Sequence, residues 1–130
     1  MPYRIMPLYN IDRPVGQGGA NLPPDVMLIQ AMLNELAKVR LGWAPVSPLL
    51  GTGINTPALR DWILAFQKSV AQIGASIALD GRVDPMPVFD KTGSGGTWST
   101  MYALNYLLRK YGRAGHEHLE GSLGLQERFV

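Results

Sequence analysis

The 130-residue chain contains no cysteine. That absence removes a disulfide framework, a thiolate zinc site and a cysteine nucleophile together. It suits a reducing cytoplasm, and it suits equally a protein carried later into an oxidising space. A dominant sign of charge is also missing, since 12 Lys and Arg stand against 10 Asp and Glu. The basic residues are scattered, with only Arg109 and Lys110 adjacent. Nucleic-acid binders gather their cations on one face, so the pattern argues against that class. No apolar run approaches the ~20 residues of a membrane span. The opening Met1-Pro2-Tyr3-Arg4-Ile5-Met6-Pro7 lacks the apolar stretch of a secretory signal. The expectation is a chain that does not insert into membranes. It would be cytoplasmic as synthesised, or exported to the periplasm or cell wall by a route that reads no such signal.

Catalytic chemistry is equally sparse. The 2 histidines both lie in His116-Glu117-His118. At i, i+2 they share a face only in an extended chain, and no third histidine completes a site. A surface tail, with no metal, is the expectation. Gly16-Gln17-Gly18-Gly19 is not a phosphate loop, because no strand pattern precedes it and no lysine follows. None of the acidic residues sits in a recognisable catalytic motif, as a hydrolase would need. The chain therefore reads as a non-enzyme without a cofactor.

What is present is a core. The hydrophobic content is 46% and the charged content 17%, proportions of a globular chain and not of a disordered one. Its length fits one domain spanning 1–130. Residues 1–22 read as an irregular arm, interrupted by Pro2, Pro7 and Pro14 and ending on a flexible glycine turn at 16–19. Residues 23–111 form the helical core and 112–130 a tail. The first helix should start near Pro23-Pro24-Asp25, with Val26, Ile29, Met32 or Leu33, and Leu36 at helical spacing, and end by Arg40 and Gly42. Pro45, Pro48, Gly51 and Gly53 then mark a loop whose Trp43, Val46, Leu49 and Leu50 are expected on the core.

The second helix has the clearest start. Thr56 caps and Pro57 takes the first helical position. Leu59, Ile63, Phe66, Val70 and Ile73 make its apolar stripe, and Gly74 stops it. Trp62 flanks that stripe and could face either way. The turn Asp80-Gly81-Arg82-Val83-Asp84-Pro85 leads into a loop at 86–96 with a mobile Gly-Ser end. Thr97 or Ser99 caps a third helix carrying Met101, Leu104, Leu107 or Leu108, and Tyr111. Val26-x-x-Ile29-Gln30 repeats as Ile63-x-x-Phe66-Gln67, a likeness that two amphipathic helices share readily by chance.

An ordered set of segments resembles the peptidoglycan-binding-domain-like family. Val15-Gly16-Gln17-Gly18-Gly19-Ala20-Asn21, with Asp25-Val26, Ile29-Gln30 and Leu33-Asn34, resembles its opening. Thr56-Pro57-Ala58-Leu59 with Phe66-Gln67 resembles its second helix, Leu79 through Pro85 its linking turn, and Thr97 through Leu104-Asn105 its closing helix. The resemblance spans roughly residues 15 to 106. It implies an all-α fold, a compact three-helix bundle with long loops and irregular N- and C-terminal arms. It also implies a non-catalytic module whose ligand is a muropeptide or glycan strand. Three features depart from the family pattern. Gly51-Thr52-Gly53-Ile54-Asn55 replaces the usual Asp-Gly before the second helix. Residues 86–96 intervene before the third, and no catalytic domain is expected within the 130 residues.

The resemblance places a shallow groove at the 80–85 turn, the end of the second helix and the start of the third. Its candidate ligand-binding residues are Gln67, Asp80, Arg82, Asp84, Trp98, Tyr102 and Asn105. Each charged residue of the turn has two readings. Arg82 holds a carboxylate in a fork while Asp80 and Asp84 bond sugar or peptide groups, or Asp80-Gly81 is simply a turn that Asp84 braces. Trp43, Trp62 and Trp98 likewise either stack on sugar rings or pack at the core edge. Two functions remain open. One is peptidoglycan binding. The other is an interaction or adaptor module with a bacterial protein partner, accessory to a secretion system, toxin or prophage.

Overall fold

Pro23 and Pro24 occupy the first turn of a helix, where their missing N–H groups cost nothing. From there α1 runs Pro23–Val39. It buries Val26, Ile29, Met32, Leu33 and Leu36 completely. Thr56 opens α2, Pro57–Gln72, and its hydroxyl accepts a bond from the Leu59 N–H at 3.3 Å. α3 is Thr100–Tyr111, where the Ser99 hydroxyl caps by accepting from the Tyr102 N–H at 3.0 Å. Two short strands complete the fold. β1, Val15–Gly16, pairs antiparallel with β2, Arg82–Val83, matching Val15 to Val83 and Gly16 to Arg82. This computed structural model describes residues 9–40, 42–46, 48–86 and 97–111. The expectations for residues 1–8, 87–96 and 112–130, including the mobile Gly-Ser loop and the His116–His118 tail, lie outside the described residues.

The architecture is mainly helical, with the two-stranded ribbon as an addition to the all-α expectation. The ribbon arises because the arm does not wander. Residues 9–16 are held to the helices at successive points by side chains that pair with backbone groups. The Asn105 amide accepts from the Tyr9 N–H at 2.8 Å and donates to the Tyr9 carbonyl at 2.9 Å. Asn10 does the same for Met86, with both bonds at 2.8 Å. The buried Asp25 carboxylate, in the first turn of α1, accepts from the N–H groups of Asp12 and Arg13. Tyr9, Ile11 and Val15 are thereby delivered to the core.

Three further expectations need correction. The glycine turn at 16–19 is locked rather than flexible. Asn21 accepts from Gly16 N–H at 2.7 Å and donates to the carbonyls of Gly16 and Gly19. Of the four apolar residues expected on the core from the 42–55 loop, Leu49 is buried and Trp43 is packed against the core. Val46 and Leu50 are exposed, because that loop is long enough to leave the helices. Lastly, the apolar stripes end early. Ile73 caps α2 outside its last regular turn and is 60% exposed, and Tyr111 is 47% exposed at the end of α3. Helix termini overrun the core they serve.

Candidate functional site

The turn after α2 is organised by one buried side chain. Gln67 is completely buried, and its carbonyl oxygen accepts from the N–H groups of Gly81 at 2.9 Å and Asp80 at 3.1 Å. Its amide nitrogen lies 3.0 Å from the Arg82 carbonyl, the Asp80 carboxylate and the Thr100 hydroxyl, three acceptors that share its two N–H donors. A primary amide offers one acceptor and two N–H donors, so it can pair with both groups of a backbone as a neighbouring strand would. Gln30 of α1 acts alike on the loop before α2. It accepts from Gly53 N–H at 2.9 Å, and its donors face the Ile54 carbonyl at 3.4 Å and the Thr52 hydroxyl at 3.5 Å. The repeated Val/Ile-x-x-Ile/Phe-Gln pattern is thus matched by a repeated function, a buried glutamine gripping a glycine turn.

Gly81 sits at φ +67°, a conformation that favours glycine, and its N–H is one of the bonds above. The same turn carries Asp80, whose carboxylate also accepts from the Arg82 N–H at 3.0 Å. That bond is the local Asx geometry expected of Asp-Gly turns. The Arg82 guanidinium pairs with Asp84 at 3.0 Å, on side chains 39% and 54% exposed. Ion pairs this exposed contribute little stability, so the partners can exchange. The segment after α2 meets the start of α3 where Trp98 N–H donates to the Ser76 carbonyl at 2.7 Å, next to a parallel bridge between Ile77 and Trp98.

These connections place Asp80, Arg82, Asp84 and Trp98 around one cleft of about 250 Å³, with Thr97, Ser99 and Thr100 on its far wall. Trp98 is half-buried and stands edge-on to Tyr102, with ring centres 5.2 Å apart. Gln67 lies beneath the cleft as its support, bonded to three lining residues, Asp80, Arg82 and Thr100. Asn105 does not reach it: the amide is fully buried and committed to Tyr9 and to the Met101 carbonyl. Four of the seven sequence-derived candidates therefore line the cleft, Tyr102 and Gln67 back it, and Asn105 holds the arm. Trp43 and Trp62 pack edge to face at 5.6 Å, on the core side of α2.

Sequence reasoning overlooked two contributions. Thr97 and Ser99 read as alternative caps and Thr100 has no reading, although a run of hydroxyls beside a tryptophan is itself a polar-surface signal. Arg60 stands alone in sequence, with no motif to mark it. Its guanidinium donates to the Gln17 side chain at 2.9 Å, and both line a neighbouring cleft of about 380 Å³ that Asp80 and Gly81 also border. Asp80 thus lies between two openings. Among the described residues no helix is long and apolar enough to cross a membrane. No protein-family model matches the chain, and no curated protein and no solved structure shows significant similarity to it.

Proposed function

We propose that the chain is a non-catalytic peptidoglycan-binding module, a three-helix bundle of the peptidoglycan-binding type, with cell-wall fragments seated at the 80–85 turn. The observation that carries this reading is the cleft itself, a charged rim of Asp80, Arg82 and Asp84 facing the ring of Trp98. Sugar rings are met by an aromatic face and hydroxyl groups by carboxylates. A stem-peptide carboxylate would take the Arg82 fork in place of Asp84, at small cost because that pair is exposed. The resemblance of the ordered segments from Val15 to Asn105 supports the same reading. Sedimentation with insoluble peptidoglycan tests it. The protein should be enriched in the pellet over an unrelated domain of similar charge, and Arg82→Ala should lower the bound fraction several-fold. No enrichment would overturn the proposal.

A second reading has its own support. Val46, Leu50 and Ile54 are all largely exposed within the loop joining α1 to α2. Apolar side chains grouped on one exposed segment suit a protein partner. In this reading the fold is an adaptor for a bacterial protein, in a secretion apparatus, a prophage or beside a toxin. A complex that survives purification and is lost in a Val46→Ser, Leu50→Ser variant, together with absent peptidoglycan binding, would put this reading first.

A further inference from the structure

Trp98 also borders a second cleft, of about 460 Å³, formed where the ends of α1, α2 and α3 converge. Its character is opposite to that of the first. Two cations, Arg40 and Lys110, line it, and no carboxylate does among the described residues. Both cations lie over aromatic rings. The Arg40 guanidinium carbon is 5.6 Å from the Tyr111 ring centre, and the Lys110 ammonium is 5.3 Å from Tyr111 and 5.8 Å from Tyr106. A ring face steadies a cation without accepting the N–H bonds that lie in the guanidinium plane. One of those donors is informative. Arg40 Nη1 is buried and has no hydrogen-bond partner among the described residues, an expensive arrangement for a charged group. Beside it, Ile73 offers an apolar side chain that the core does not use, and Tyr106 and Tyr111 expose part of their rings.

We infer that this cleft binds the terminal carboxylate of a peptide whose last residue is apolar. A carboxylate in the cleft meets the charges of Arg40 and Lys110 together. At a chain end, the carboxylate and the last side chain leave the same Cα. One residue therefore reaches the cations and the Ile73 and Trp98 surfaces together, within the space of one or two side chains. An internal glutamate would bring backbone on both sides and leave the apolar wall unfilled. The site is separate from the 80–85 cleft and does not rest on the cell-wall reading.

The test uses the full chain, labelled with ¹⁵N, and three blocked dipeptides. N-acetyl-leucyl-leucine carries a free carboxylate, its C-terminal amide carries none, and N-acetyl-glutamyl-leucine amide carries a side-chain carboxylate only. The free acid should shift the Trp98 indole N–H, identified by its loss in Trp98→Phe, and the backbone amides around Ile73 and Gly74. The other two peptides should bind at least tenfold more weakly. Arg40→Gln and Lys110→Gln should each weaken the acid about tenfold, the loss expected for a charge-assisted hydrogen bond. Lys110 is exposed, so its variant decides the matter if Arg40→Gln fails to fold. Equal shifts from acid and amide, equal binding of the glutamyl peptide, or acid binding unchanged in Lys110→Gln would overturn the assignment.

Discussion

Single residues in this protein mostly do one of two things, fill the core or bind a backbone. Gly16 belongs to a third kind, set by space. Its φ of +103° lies in the left-handed region, and a Cβ there would stand 2.4 Å from the Gly81 carbonyl oxygen and 2.9 Å from the Ile63 side chain. The ribbon can form only because nothing projects at this point. Gly18, two residues on, has φ +72° and open space around it. The pair separates steric exclusion from backbone preference. Gly18→Ala should cost roughly 1–2 kcal/mol, the penalty of a left-handed L-residue. Gly16→Ala should cost more, on the order of 3 kcal/mol or above, since a backbone must also move. Chemical denaturation of the two variants checks the difference, and equal losses would refute the packing argument. The glycine-rich run was legible in sequence as a turn. Which of its glycines is sterically required was not, because the obstructing carbonyl comes from Gly81, far along the chain.

At the scale of elements, α2 shows how a helix start and a helix end differ in legibility. Its start is local chemistry: Thr56 caps, Pro57 follows, and both roles were readable. Its end is tertiary, because the last apolar residue of the stripe meets no neighbour to cover it. Ile63 has zero exposure, whereas Ile73 is 60% exposed. Truncation should therefore act unequally on one continuous stripe. Ile63→Ala should destabilise by about 2–5 kcal/mol, and Ile73→Ala should change stability by less than about 0.5 kcal/mol. Thermal or urea unfolding resolves the contrast. The same exposure makes Ile73 available to the cationic cleft, so Ile73→Ala should reduce dipeptide binding while leaving the fold intact.

The whole molecule is closed by amide clamps that link segments distant in sequence. Among the described residues the longest connection joins Tyr9 to Asn105, 96 residues apart. Removing that amide should free the arm before it unfolds the helices. Asn105→Ala should cost on the order of 2 kcal/mol for the lost buried bonds, and amide exchange should accelerate at Tyr9 and Ile11 more than within α1. Uniform acceleration across the chain would show instead that arm and helices form one cooperative unit. The sequence by itself determined the three helices, their starts and most of their buried faces, because caps, prolines and apolar spacing act within a few residues. It also marked the 80–85 turn and Trp98 as the polar and aromatic material of a surface. Tertiary structure decided what each of those residues does. It turned Gln67 and Asn105 inward, since a buried backbone needs hydrogen-bond partners and these amides lie where none other reaches. It paired β1 with β2 across about half of the chain, left Val46, Leu50 and Ile73 at the surface, and set Trp98 between an acidic-rimmed cleft and a cationic one. Those outcomes depend on which distant segment comes to lie beside each residue, and no local pattern encodes that.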